Sequence, residues 1–156
     1  KLCGYKFSVE CVENLVARFP KNIIGVKDSS YNLMGNLNIK SFSILPGSEL
    51  KLLSGLKKDC SGIITATCNV TAKLARKVFD DFEKNKDQTV NDKLCEVRKA
   101  FDQFNLISGL HSFLSLTDKQ FLNILPTCSL LNKQDEKTLI DKLKDLDFLG
   151  KDFKAA

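Results

Sequence analysis

The sequence predicts an α/β fold with parallel strands, because short apolar segments alternate with amphipathic helical patterns in its first half. The apolar segments are residues 23–27, 43–45 and 62–66. Strands that alternate with helices form right-handed βαβ units, in which the strands run parallel. Three parallel strands leave two open edges, so we expect this region to be part of a larger sheet or barrel.

The first predicted helix begins after Ser8, whose side chain can cap it, and ends before Pro20. Its apolar residues have helical spacing. They are Cys11, Val12, Leu15, Val16 and Phe19. The first strand follows and ends at Lys27. Residues 31–40 hold three asparagines and a glycine, which predict a short irregular helix or a loop.

The second strand, residues 43–45, ends at Pro46-Gly47. Ser48 can cap the next helix, whose leucines are expected to face inward. These are Leu50, Leu52, Leu53 and Leu56. The third strand, residues 62–66, is β-branched at its centre. Asn69 or Thr71 can cap the helix that follows it.

The second half of the sequence predicts only helices. A narrow apolar seam is typical of one helix packing on another. It consists of Val90, Leu94, Val97, Phe101 and Phe104. Asn132 can cap the last helix, whose inward residues would be Leu139, Ile140, Leu143 and Leu146. We therefore predict two regions, an α/β region at residues 1–86 and a helical region at residues 87–156.

The composition excludes several function classes. The net charge is +5, and the lysines are mixed with acidic residues, so no basic tract indicates nucleic-acid binding. Six cysteines include no C-x-x-C pair, which gives no zinc signature and favours a reduced, cytoplasmic protein. No apolar run has membrane-spanning length. We expect no metal, no cofactor and no membrane partner. The chain begins at Lys1, so we also expect it to be part of a longer protein.

Lys27 is the candidate for chemistry. Side chains alternate along a strand, so Ile23, Gly25 and Lys27 share one face, and Asp28 lies on the other. If both faces are buried, Lys27 lies at the rim of an apolar interior. An amine there can lose its proton and act as a nucleophile. The alternative is a solvated lysine at a strand end.

Function in parallel α/β folds gathers at the carboxyl ends of the strands. These ends are residues 27–29, residues 46–49 and residues 66–67. The first offers an amine and hydroxyl groups, the second a glycine turn, and the third small residues. Such a lining suits a small, oxygen-rich substrate.

Three segments resemble the dihydrodipicolinate synthase and N-acetylneuraminate lyase family. Residues 22–30, Asn-Ile-Ile-Gly-Val-Lys-Asp-Ser-Ser, resemble its Schiff-base lysine strand. Residues 44–49 resemble the turn after its seventh strand, and residues 62–70 resemble its eighth strand. Leu125-Pro126 and the terminal helix resemble its C-terminal extension. The resemblance implies the C-terminal part of a (β/α)₈ TIM barrel at residues 1–86 and a helical extension at residues 87–156.

The resemblance also implies class I aldolase chemistry. Lys27 would form an imine with pyruvate, and a small aldehyde or 2-keto acid would be the other substrate. Gly47 would line the pyruvate end of the pocket, the backbone carbonyl of Ile64 would face the keto acid, and Ser29 would touch the rest of the substrate. A homo-oligomer is expected when the protein is complete.

The family's carboxylate-binding Thr-Thr loop and its catalytic tyrosine belong to an upstream half that these residues lack. Tyr5 and Tyr31 do not fit the tyrosine motif, and His111 stands where many relatives have lysine. We expect His111 to be an ordinary helix residue. The most favoured function is dihydrodipicolinate synthase-like. N-acetylneuraminate lyase and 2-keto-3-deoxy sugar acid aldolase remain open, as does a non-catalytic α/β association domain.

Overall fold

The computed structural model describes residues 4–149. It divides into two compact units. The first comprises residues 4–65 and 75–88, and the second comprises residues 66–74 and 89–149. The predicted division into residues 1–86 and 87–156 stays a prediction.

The first unit is an α/β arrangement. Its elements are α1 (Val9–Arg18), β1 (Gly25–Asp28), β2 (Ser43–Pro46), a 3₁₀ turn (Glu49–Lys51), α2 (Leu52–Leu56) and part of α3 (Cys68–Glu83). Helix α1 begins where predicted, because the Ser8 hydroxyl accepts the backbone N–H of Cys11 at 3.1 Å. It ends just before Phe19 and Pro20.

Strands β1 and β2 are parallel, and their register pairs Gly25 with Ser43 and Asp28 with Pro46. The residues between them, 29–42, contain turns and bends but no helix. This crossover still contributes Leu33 and Leu37 to the core. The buried members of that core are Val12, Leu33, Leu37, Ile44 and Cys60. Their packing covers one face of the sheet.

The prediction of three parallel strands is wrong for the described residues, which contain two. Residues 61–65 run beside β2 without forming a strand. Ser61 N–H donates to the Ile44 carbonyl at 3.0 Å, and Ile64 N–H donates to the Pro46 carbonyl at 3.1 Å. The segment advances three residues where β2 advances two, so a regular ladder is lost. Gly62 absorbs the extra residue with φ of +140°.

The second unit is helical and contains the start of α3, α4 (Asn91–Phe101), α5 (Leu106–Ser115), a 3₁₀ turn (Lys119–Leu122) and α6 (Lys133–Asp145). Its core confirms the predicted seam as packing between helices. The buried residues are Val97, Ala100, Phe101, Leu110, Leu139 and Leu143. Asn132 caps α6 as predicted by accepting the N–H of Asp135 at 2.9 Å.

The predicted caps of α3 are wrong, because this helix begins at Cys68 and already includes Asn69 and Thr71. The Asn69 amide instead donates to the Ala66 carbonyl at 2.8 Å, and the Thr71 hydroxyl donates to the Thr67 carbonyl at 3.0 Å. Within the described part of the chain, no helix combines the length and apolar character needed to cross a membrane.

Candidate active site

Strand β1 places two neighbouring charged residues on opposite faces of the sheet. Asp28 is 2% exposed, whereas Lys27 is exposed. The expectation that Asp28 faces away from Lys27 is confirmed. The rim of an apolar interior expected around Lys27 is not formed by the described residues, since the side chain of Lys27 is exposed.

The Asp28 carboxylate has a structural task. One of its oxygens accepts the backbone N–H groups of Leu33 at 2.9 Å and Met34 at 3.0 Å. The other lies 3.4 Å from the Ser30 hydroxyl, which donates to it. Asp28 thereby orders the start of the crossover, directly after the strand that carries Lys27.

Ser29 and Gly47, both predicted to bind substrate, lie against each other. A Cβ atom built on Gly47 would stand 2.8 Å from the Ser29 Oγ and 3.3 Å from its Cα. A side chain at residue 47 would force Ser29 to shift, so glycine favours this close approach between the end of β1 and the end of β2. The Ser29 hydroxyl and the Gly47 backbone therefore form one small polar surface.

Ile64 joins this surface through its backbone. Its N–H donates to the carbonyl of Pro46, the residue before Gly47. In the sheet register, Lys27 lies beside Leu45. The structure thus brings Lys27, Ser29, Gly47 and Ile64 to the same end of three adjacent segments, all within the first unit.

Glu49 has a contact that sequence reasoning missed. The structure buries it fully, at 0% exposure, and the Thr65 hydroxyl donates to its carboxyl group at 2.9 Å. Ser48 caps the same 3₁₀ turn as predicted, because its hydroxyl accepts the Leu50 N–H at 3.3 Å. No local pattern in the sequence pairs Glu49 with Thr65.

Two other groups lie near the strand ends of the first unit. The Lys51 ammonium is 5.4 Å from the centre of the Tyr31 ring, and Tyr31 has φ of +59°. Burial raises the pKa of the Cys60 thiol, and the charge of Asp28 raises it further. Cys60 belongs to the covered side of the sheet, away from Lys27.

His111 lies in the second unit on helix α5. Its Nδ1 atom is 2.9 Å from the Phe121 carbonyl, and its ring meets the Phe121 ring edge to face. These contacts join α5 to the 3₁₀ turn at Lys119–Leu122, and the expectation that His111 is an ordinary helix residue stays a prediction. Among residues 4–149, no three His, Cys, Asp or Glu side chains group together as a metal ion would require.

The arrangement can support carbonyl chemistry. A primary amine on an open sheet face lies beside a hydroxyl group and backbone polar groups of a tight turn. An uncharged amine can add to a ketone, and the hydroxyl and backbone groups can hydrogen-bond the remaining oxygen atoms of the substrate.

Comparison with known proteins identifies similar sequences and folds. A family model, the dihydrodipicolinate synthetase family, matches residues 1–145. A search of curated proteins finds no match.

Solved structures share the fold. A 4-hydroxy-tetrahydrodipicolinate synthase from Methylacidiphilum fumariolicum SolV matches with a TM-score of 0.81 and 19% identity, over 93% of this chain and 51% of its own. YagE from E. coli K12, a prophage protein in complex with pyruvate, matches with a TM-score of 0.77 and 17% identity, over 91% and 52% of the two chains. A Bacillus anthracis dihydrodipicolinate synthase matches with a TM-score of 0.76 and 16% identity, over 90% and 50%. The chain spans about half the length of these proteins.

Proposed function

This chain belongs to the dihydrodipicolinate synthetase family, and from that premise we propose that Lys27 is the Schiff-base nucleophile of a pyruvate-dependent aldolase or lyase. One observation carries the proposal. Lys27 lies on the open face at the carboxyl end of β1, beside Leu45 of β2. Two residues further on, Ser29 packs against Gly47, and the residue before Gly47 is bound by the backbone of Ile64. This is the edge at which α/β folds place their chemistry.

The reaction begins when the uncharged Lys27 amine adds to the ketone carbon of pyruvate. The carbon–nitrogen bond forms, the ketone oxygen takes a proton, and a carbinolamine results. The hydroxyl group of the carbinolamine then takes a proton from the solvent and leaves as water, which gives a protonated imine that draws electrons from the neighbouring carbon. A carbon–carbon bond at that carbon can then be made or broken through an enamine, and hydrolysis of the imine releases the product and restores the amine.

The other predicted residues take binding roles in this proposal. The backbone of Gly47 lines the pyruvate end, the carbonyl of Ile64 faces the keto acid, and the Ser29 hydroxyl contacts the second part of the substrate. The close approach of Ser29 to Gly47 supports a joint role for these two residues. The chemistry needs no metal or cofactor.

The second substrate is a small aldehyde or 2-keto acid. We favour a dihydrodipicolinate synthase-like condensation, with N-acetylneuraminate lyase and 2-keto-3-deoxy sugar acid aldolase reactions as alternatives. The complete protein would be a cytoplasmic homo-oligomer in which further chain supplies the carboxylate-binding loop and the proton-relay tyrosine. A substrate panel assayed for both condensation and retro-aldol cleavage separates these reactions.

Borohydride trapping tests the proposal directly. The full-length natural protein, incubated with pyruvate and borohydride, is expected to carry a stable adduct on Lys27, located by peptide mass spectrometry. Lys57→Met is the matched control, because Lys57 is also exposed but follows α2. The adduct should persist in Lys57→Met and disappear in Lys27→Met. An adduct on another lysine, or none in the natural protein, refutes the proposal and favours a non-catalytic association domain.

A further inference from the structure

We infer that Glu49 is a positioning residue, which holds the backbone carbonyl of Ile64 in place through the hydroxyl of Thr65. The inference rests on the proposed function, because the Ile64 carbonyl matters only if a keto acid binds beside it. Glu49 itself does not touch the substrate in this scheme. It acts on the segment that carries the carbonyl.

The burial of Glu49 is the first observation. A carboxyl group at 0% exposure has lost its contacts with water, and such groups persist where hydrogen bonds satisfy them. One of these bonds comes from Thr65, sixteen residues further along the chain. The bond therefore joins the turn after β2 to the segment beside β2.

The weak pairing of residues 61–65 is the second observation. Two backbone hydrogen bonds to β2 hold this segment where a regular strand would have a continuous ladder. Gly62 makes the backbone of this segment more flexible, because glycine can adopt more φ and ψ values than any other residue. Side-chain contacts consequently contribute more to holding the backbone of residues 61–65 than they would in a regular strand.

The two contacts that flank the Ile64 carbonyl fix its direction. The carbonyl belongs to the peptide group between Ile64 and Thr65. On one side of that group, the Ile64 N–H is bound to Pro46 at 3.1 Å. On the other side, the Thr65 hydroxyl is bound to Glu49 at 2.9 Å. These two bonds anchor the residues on either side of the peptide group and so limit how far it can turn.

The carbonyl so held has a use in imine formation. The Ile64 carbonyl oxygen can only accept hydrogen bonds, and the oxygen atoms of pyruvate are also only acceptors. The two therefore form no hydrogen bond with each other. The carbinolamine is different, because its new hydroxyl group is a donor. The Ile64 carbonyl is thus suited to the carbinolamine, and its direction affects the addition step more than it affects the stability of the protein.

The test measures the pyruvate concentration that gives half-maximal borohydride trapping of Lys27 in the full-length protein. Thr65→Val replaces the hydroxyl with a methyl group of similar size and removes the bond to Glu49. We expect the required concentration to rise about tenfold, the effect of one lost hydrogen bond to a carboxyl group. Thr65→Ser keeps a hydroxyl and is expected to stay within about twofold of the natural protein.

Thermal unfolding of each variant separates positioning from stability. If Thr65→Val unfolds at a lower temperature but needs no more pyruvate, Glu49 has a structural role only and the inference is overturned. If Thr65→Val does not fold, Thr65→Ala takes its place, since it leaves room for water beside the carboxyl group. Trapping that is normal in Thr65→Ala overturns the inference equally.

The same experiment distinguishes failure of the proposed function from failure of the positioning role of Glu49. A natural protein without an adduct refutes the proposed function and the positioning role together. A natural protein with an adduct at Lys27, combined with unchanged Thr65→Val, refutes the positioning role and leaves the proposed function standing.

Discussion

The two faces of strand β1 differ in almost every respect, although Lys27 and Asp28 are neighbours in the chain. Asp28 lies on the covered face, above Ile44 and the leucines of the crossover, where its oxygens bind backbone N–H groups. Lys27 lies on the open face, where its neighbour in β2 is Leu45. One face is packed into the core, and the other leaves the amine of Lys27 accessible.

Substitutions on the two faces are therefore expected to change different properties of the protein. On the covered face, a change is expected to alter the free energy of unfolding. On the open face, it is expected to alter chemistry and leave folding nearly unchanged. Substitutions at Lys27, Asp28, Gly47 and Cys60 test whether stability and chemistry are separated in this way.

Replacing Lys27 should have the largest effect. Lys27→Met is expected to lower kcat of the full-length protein by a factor on the order of 10³ or more, because the covalent route is lost. The free energy of unfolding of residues 1–156 should change by less than about 0.5 kcal/mol, since Lys27 is exposed in them. Steady-state kinetics and urea denaturation measure the two quantities. A large loss of stability in Lys27→Met would contradict the idea that the open face contributes little to folding.

Replacing Asp28 should act on stability. Asp28→Ala removes the acceptor of two backbone N–H groups and is expected to lower the free energy of unfolding by about 2–4 kcal/mol. Asp28→Asn is the matched control, because its amide oxygen can still accept from Leu33 and Met34. We expect it to lose about 1 kcal/mol. Equal losses in the two variants, measured by urea denaturation, would show that the hydrogen bonds matter little.

The contact between Gly47 and Ser29 can be tested by a double-mutant cycle. Gly47→Ala places a methyl group 2.8 Å from the Ser29 Oγ and is expected to lower the free energy of unfolding by about 1–3 kcal/mol. In a Ser29→Ala background the penalty should be smaller, because the clashing oxygen is gone. The same penalty in both backgrounds would mean that the crowding lies elsewhere.

The smallest effect should come from Cys60 on the covered face. Burial and the charge of Asp28 raise the pKa of its thiol, so the folded state keeps the proton at a pH where the unfolded thiol has lost it. The contribution of Cys60 to stability is complete below the ordinary thiol pKa, about 8.5, and is lost as the pH rises from there through the raised value.

The stability difference between the natural protein and Cys60→Ala should therefore shrink between about pH 7 and pH 10. Urea denaturation at a series of pH values measures it, and the subtraction removes the effects of the other titrating groups. A difference that stays constant or grows with pH would contradict the predicted direction.

The sequence predicted the features that depend on near neighbours. Ser8 and Asn132 cap their helices as expected, because a cap and its partner N–H lie three residues apart. The buried seam of α4 was predictable from its spacing. The first two strands were placed to within two residues, since they were predicted at 23–27 and 43–45 and lie at Gly25–Asp28 and Ser43–Pro46.

The features that sequence reasoning missed depend on distant partners or on backbone conformation. The apolar run at residues 62–66 has strand composition, yet Gly62 adopts a positive φ and the ladder with β2 is broken. Phe19 and Leu50 were expected to face inward but are exposed, since spacing alone does not show where an apolar face ends. The bond between Thr65 and Glu49 spans sixteen residues and leaves no periodic signal.

The candidate site was predicted in part. The residues at the ends of the segments do come together, but that they bind pyruvate remains a prediction. The sequence did not show that Ser29 would touch Gly47, because this contact depends on how the ends of β1 and β2 approach each other.

The crossover between β1 and β2 is anchored at its start and again in the core. At its start, two backbone N–H groups bind a single carboxylate, where a helix would distribute the same bonds over many backbone groups. Further along, Leu33 and Leu37 are buried in the core of the first unit. Loss of the Asp28 carboxylate would therefore loosen the residues directly after Lys27, while the packing of the two leucines keeps the rest of the crossover in place.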